Sequence, residues 1–196
     1  MSQHEYKYVR CLFCTTGKEE AVARGIEASG HGRALFPQRD KRFLVGRAWV
    51  ERPVALLPGY VFVYSDEERA VYRSFGAAQH IIRVLAYGGG DDRLTGRDRE
   101  FADWLWRLQG RVGVLKALEV GDRIEIVDGA FKQLRGRITK MDRRRRTVRV
   151  ELDTSGAIRQ LWLAYEIVDR VDADALRRGM RRDEERGTAL EAGAAD

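Results

Sequence analysis

The chain is short of cysteine, proline and histidine, and each shortage removes a class of reading. Its 196 residues include two cysteines, three prolines and three histidines. Cys11 and Cys14 sit three apart in RCLFCTTG, within what reads as a strand, where odd spacing sends side chains to opposite faces. Neither a disulfide nor joint chelation follows easily from that placement. A lone C-x-x-C also lacks the second pair that a zinc site wants, so both residues read as buried or half-buried thiols. His4, His31 and His80 lie in unrelated contexts, and no phosphate-cradling G-x-x-x-x-G-K or Ser/His/Asp setting is visible. No enzyme activity, metal site or cofactor is expected. No run approaches the roughly 18 apolar residues of a membrane helix, and MSQHEYKYVR carries no apolar signal segment. A cytoplasmic protein without a membrane partner is expected.

What is present is enough apolar surface for real cores and an excess of positive charge. Hydrophobic residues make up 44% of the chain and charged residues 34%, with a net charge of +6. That balance fits a polyanionic partner, although it also fits plain solubility. The length accommodates one large or two small domains, and the pattern favours two.

Tyr8 to Thr15 reads as a strand, and Gly17 to Ser29 as an amphipathic helix with Ala21, Val22, Ile26 and Ala28 inward, ended near Gly30. A short strand near Ala34 to Phe36 precedes a basic excursion containing Arg39, Lys41, Arg42, Arg47 and Arg52. Pro53 and Pro58 are expected to keep this excursion from running straight into the apolar strand Tyr60 to Tyr64. Asp66 to Phe75 reads as helical, and Ile81 to Leu85 as a strand closed by the GGGDD turn. Thr95 is placed to cap a helix reaching about Gln109, with Asp98 in a capping-box position. On that helix Phe101, Trp104, Leu105 and Leu108 form one stripe, while Trp106 falls outside it and reads as an exposed contact aromatic.

Gly110 to Leu118 reads as a short linker. Beyond it, candidate strands near Arg123 to Val127, Gly136 to Met141, Thr147 to Leu152, Ile158 to Leu163 and Ile167 to Val171 fit a small barrel. In GDRIEIVDGAFKQLRGRITKMD, Ile124 and Ile126 alternate with polar residues, and Phe131 can join them on an inner face. From Ala173 onward the chain is charged and Ala-rich without an apolar stripe, so a flexible tail is expected.

Three segments in this order resemble the NusG family of transcription elongation factors. They are the opening strand with TTGKEE, the strand LLPGYVFVY, and VGDRIEIVDGAFKQLRGRITKMD. The resemblance implies an α+β chain. An NGN-type α/β domain with an antiparallel sheet flanked by helices would span residues 1–109, followed by a linker at 110–118. An SH3-like KOW β-barrel at 119–172 and the tail at 173–196 would complete it. It implies a monomeric, non-enzymatic protein whose N-terminal domain binds the clamp region of RNA polymerase. The matching positions are Thr16, Gly17, Leu57, Pro58, Tyr60, Trp104 and Leu108, with Trp106 as a further aromatic. Arg73 and Ser74 fall where relatives touch the far side of the polymerase cleft, although nothing local resembles the family's HTT-type run. Leu57 departs from the family's usual aromatic. The basic excursion, with Arg39, Lys41, Arg42 and Arg47, is either a solvated loop or a surface facing upstream or non-template DNA.

The barrel departs from the family in charge. Its partner loop, where relatives bind the termination factor Rho or a ribosomal protein, reads GAFKQLRG and keeps one aromatic, Phe131, beside Leu134. Lys132, Arg135, Arg137, Lys140, Arg143, Arg144, Arg145, Arg146 and Arg149 make a positive stripe suited to a phosphate backbone, with nascent RNA the expected ligand. An idle, solvated hairpin tip is the plainer account of Arg143 to Arg146. This pattern resembles a specialised antiterminating paralogue of the LoaP-like or RfaH-like kind. A housekeeping NusG role and a polymerase-independent, ribosome-associated KOW protein are the alternatives. In RfaH-like members the barrel can refold into helices. The alternation of Val148, Val150 and Leu152 favours strands here, and no switch is expected.

Overall fold

Strand β1 (Tyr8–Cys14) is the spine of the N-terminal sheet because both of its faces are covered. The computed structural model describes residues 5–68, 78–120, 123–127, 131, 136–152 and 160–171. The architecture is α+β, and the chain divides into two compact units, Met1–Val114 with Gln133–Ala164, and Leu115–Lys132 with Tyr165–Asp196. In the first, β1 pairs antiparallel with β5 (Tyr60–Ser65) on one side and β6 (Ile81–Val84) on the other. β2 (Arg33–Leu35) adds beyond β5, giving the order β2-β5-β1-β6.

One face of this sheet takes α1 (Glu19–Ala28). Its Val22, Ala23 and Ile26 cluster with Leu12, Cys14, Ala34, Val61 and Val63. The inward stripe differs from the expected one at its ends: Ala28 is exposed, and Glu19 is buried. The other face takes α2 (Gly96–Arg107), where Phe101 meets Phe62 at 6.0 Å and Ala102 O accepts the Tyr64 hydroxyl at 2.7 Å. Cys11 pairs with Phe62, so the two cysteines lie on opposite faces as their spacing requires. Burial, with Glu19 adding to it, pushes the Cys14 thiol up to about 11, and burial raises Cys11 further. Both are neutral packing groups at physiological pH rather than nucleophiles.

Thr95 does cap α2 by position, but no side-chain hydrogen bond completes the capping box. Asp98 Oδ2 instead accepts the Tyr87 hydroxyl at 2.7 Å, tying the helix start to the turn after β6. Of the helix expected at Asp66 to Phe75, residues 66–68 are not helical and 69–77 lie outside the described residues. Arg10, only 2% exposed, holds this neighbourhood: its Nε meets Asp92 Oδ1 at 3.0 Å, and its Nη atoms donate to the Glu67 and Glu68 carbonyls.

The basic excursion is a regular β-hairpin. β3 (Gln38–Val45) and β4 (Ala48–Ala55) pair antiparallel over their full length, joined by Gly46 and Arg47. Gly46 has φ +62°, whereas Arg47 has no positive φ, the pattern of a type II′ hairpin turn. Pro53 does not break β4, because β4 is the outer strand of its three-stranded sheet and an edge position needs no inward N–H. β7 (Arg111–Val112) comes from the segment read as a linker, and Arg111 Nε donates to the buried Asp40 at 2.9 Å.

The C-terminal strands are β8 (Leu115–Val120), β9 (Arg123–Ile126), β10 (Gly136–Asp142), β11 (Thr147–Leu152) and β12 (Gln160–Val171). Their order is β10-β11-β12-β8-β9, the strand set of a small barrel. Val148, Val150, Leu152, Leu161 and Leu163 are buried on alternate positions, as patterning predicts. The last two expected strands are one, bent by a register shift between Ile167 and Asp169. β12 pairs antiparallel with β11 through its first half and parallel with β8 through its second. The expected tail lies outside the described residues.

The chain entering β5 is fixed by one turn. Tyr60 N donates to Leu57 O at 3.2 Å and Gly59 has φ +85°, so Leu57-Pro58-Gly59-Tyr60 is a type II turn with Pro and Gly at their favoured positions. Gly59 O accepts from Cys14 N at 2.7 Å, and Gly59 N donates to Glu19 Oε1 at 2.7 Å. A Cβ on Gly59 would stand 2.8 Å from the Phe13 ring and 3.0 Å from the Cys14 carbonyl oxygen. Gly17, at φ +84°, has nothing within 4 Å of such a Cβ. Gly59→Ala is therefore expected to cost about 2–4 kcal/mol, strain plus overcrowding, and Gly17→Ala only about 1–2 kcal/mol. Urea denaturation of both variants checks this, and equal losses would contradict it.

Candidate functional site

Three surfaces gather the residues that the sequence singles out. The first is the rim where the turn after β1 meets the turn before β5. Lys18 N donates to Thr15 O at 3.0 Å around Gly17, and the Cys14–Gly59 hydrogen bond brings this turn beside Pro58. Thr16, Gly17 and Pro58 are exposed and Tyr60 is half-buried. Tyr60 pairs across the strands with Phe13, ring centroids 5.3 Å apart, and the Arg83 guanidinium lies over Phe13 at 5.7 Å. The register shift between Phe13 and Cys14 leaves Ile82 without a facing partner on β1, and it is 61% exposed. Sequence reading missed Phe13, Ile82 and Arg83. The apolar character of Phe13 was visible, but its pairing with Tyr60 depends on register.

The other residues expected at this surface are placed differently. Leu57 is buried in the turn, and Trp104, 2% exposed, stacks on Phe101 at 5.7 Å within the α2 face. Both are buried, so neither side chain is part of the exposed rim. Trp106 is not an exposed contact aromatic: it is half-buried, with Tyr64 at 4.7 Å and Tyr6 at 5.3 Å, because the α2 face is wide enough to include it. Leu108 is half-buried. Arg73 and Ser74 lie outside the described residues.

The second surface is the β3–β4 hairpin. Alternation puts Arg39, Lys41 and Phe43 on one face, and register places Lys41 directly opposite Arg52. Two like charges in facing positions oppose pairing of the strands. Lys41 Nζ lies 5.2 Å from the Phe43 ring, and burial lowers the pKa of Arg39. Arg42 is on the opposite face, where its Nε bonds Glu51 at 2.8 Å, so it is already committed to a carboxylate. Arg47 is exposed in the turn, beside exposed Leu44 and Val45.

The third surface is the outer face of β10, β11 and the start of β12. Arg137, Lys140 and the turn Arg143 to Arg146 are exposed, and Arg149 is half-buried. Asp142 organises the turn by accepting from Arg145 N at 2.9 Å, and Arg146 closes it with φ +50°. Arg137 Nη2 meets Glu151 at 3.4 Å. Lys140 faces Arg149 across the strands, a second like-charged pair. Lys132, Leu134 and Arg135 lie outside the described residues. Phe131 is buried, in keeping with the inner face expected for it.

No protein-family model matches the chain, and no curated protein matches it. Among solved structures it is similar to one described as "Domain interaction in Thermotoga maritima NusG". That match has 24% identity and a TM-score of 0.47, and covers 80% of this chain and 93% of that one. Identity and superposition at this level leave function to be argued from the residues.

The facing cations at Lys140 and Arg149 generate a paired expectation. Lys140→Glu turns a repulsive pair into an attractive one and should raise stability by a few tenths of a kcal/mol. The same change should weaken polyanion binding and lower its salt slope by at least about 1. Thermal melts and heparin or RNA titrations at several salt concentrations measure both. Unchanged binding would remove Lys140 from the surface.

Proposed function

We propose that this chain is a NusG-family transcription elongation factor of the specialised, antiterminating kind. It binds RNA polymerase through residues 1–109 and nascent RNA through the barrel at residues 119–172. The observation that carries this reading is the turn Leu57-Pro58-Gly59-Tyr60 and what it presents. In the resemblance, LLPGYVFVY contributes to the polymerase contact. Here that segment forms a latched turn whose outer side carries exposed Pro58 and the Phe13–Tyr60 pair. A shallow aromatic rim edged by Arg83 and exposed Thr16 suits a protein–protein contact, in which a few rigid apolar anchors supply most of the affinity.

The cationic surfaces support the second half of the reading. Like charges held in facing positions on both hairpins cost folding free energy. A polyanion laid across them repays that cost by releasing counterions. The hairpin Lys41–Arg52 face would then take upstream or non-template DNA, and the β10–β11 face would take RNA.

Purified core polymerase tests the central contact. The chain is expected to co-elute with it, and the double variant Phe13→Ser, Tyr60→Ser is expected to lose the complex at least tenfold. Pro58→Glu, on an exposed turn position, should also weaken the complex while lowering the thermal melt by only about 1–4 °C, the cost of one turn proline. No complex with the unaltered chain, with RNA binding intact, would overturn the proposal in favour of a polymerase-independent RNA-binding protein.

A further inference from the structure

The middle row of the β10–β11–β12 face is Lys140, Arg149 and Trp162, set in one line by register. Leu161 and Leu163 on either side of Trp162 are buried, so alternation turns the indole outward, and it is 38% exposed. Trp162 is an aromatic in the group of exposed large hydrophobic side chains. The Arg149 guanidinium stands over its ring at 5.9 Å, near the outer limit of a cation–π contact.

Arg149 is held in place rather than left to wander. The register shift between Ile138 and Lys140 puts Thr139 beside it. Thr139 Oγ1 accepts from Arg149 Nε at 3.1 Å, and the same hydroxyl lies 3.4 Å from the Arg149 carbonyl oxygen. Among the described residues no carboxylate pairs with Lys140 or Arg149. The acids in neighbouring rows are engaged, Glu151 with Arg137 and Asp142 with Arg145.

We propose that Trp162 is a stacking platform for an unpaired base of single-stranded RNA, with Arg149 and Lys140 holding the adjoining phosphates. The inference rests on the proposed RNA-binding role of this barrel and adds which form of RNA it takes. Charge selects a polyanion, and the exposed indole selects one with accessible base faces. In a duplex those faces are already stacked on each other, and an aromatic on a flat sheet gains nothing from them. A base laid on the indole would gain both the ring face and the adjacent guanidinium, without reading sequence.

Full-length chain titrated with a fluorescent oligo(U) strand, a hairpin duplex of equal charge and an oligo(dT) strand tests this. Trp162→Leu is expected to weaken oligo(U) binding about 5- to 160-fold, the range of one stacked base, while leaving its salt slope and duplex binding unchanged. Trp162→Phe should recover most of the loss, which a purely structural defect in the sheet would not predict. Replacing Arg143 to Arg146 with Ser should instead flatten the salt dependence for every strand. If that charge variant weakens oligo(U) but Trp162→Leu does not, stacking is overturned while the basic RNA-binding face stands. If the unaltered chain binds no RNA, the broader reading of the barrel fails with it. Binding of oligo(dT) alone would overturn RNA as the ligand.

Discussion

The N-terminal fold depends on how Gly59 is held between β1 and α1. Its carbonyl receives the Cys14 amide and its own amide goes to the Glu19 carboxylate, both at 2.7 Å. Those two bonds set where β5 begins, and β5 in turn sets the register that puts Tyr60 against Phe13. Glu19 is a first-turn helix residue whose charge suits the helix dipole. Buried against the turn, it also satisfies a backbone donor that would otherwise be costly to bury. The core and the aromatic rim are therefore consequences of one junction, in which positive φ and lack of a Cβ are both required of Gly59.

A second constraint works against stability. Lys41 faces Arg52 in one hairpin and Lys140 faces Arg149 in another, although alternating sign would favour both ladders. Elsewhere this chain pairs its charges well. Arg42 has Glu51, Arg111 has Asp40, and the buried Arg10 has Asp92 and two carbonyls. Unfavourable pairs kept beside well-made ones are what the proposed binding faces would require, since local rules tend to be broken at functional sites.

Much of the fold was legible because strands with one buried face announce themselves by alternation. β1, β5 and β11 lie within a residue or two of their expected places, and the α2 stripe of Phe101, Trp104 and Leu105 is buried as read. What escaped was tertiary. The β3–β4 hairpin was hidden by a Gly-Arg turn and by Pro53, whose tolerance depends on β4 being an edge strand. β8 was hidden behind Gly110 and Gly113: it pairs antiparallel with the neighbouring β9, but its other partner, β12, lies far along the chain and leaves no local signal. The candidate sites divide the same way. Cationic residues are countable in sequence, but which of them face each other, and that Trp162 joins their row, exists only once register is known. Trp106 misled because the helix stripe was drawn too narrow; Tyr6 and Tyr64 widen the apolar face to reach it.

Under the proposed function, a rim that grips polymerase and cationic faces that follow nucleic acid would together make a factor that stays with the elongating enzyme. Single-round transcription through an intrinsic terminator, with purified polymerase and with or without this chain, tests that claim most directly. The account predicts increased readthrough when the chain is present. Equal readthrough on a terminator that a known elongation factor can suppress would contradict it.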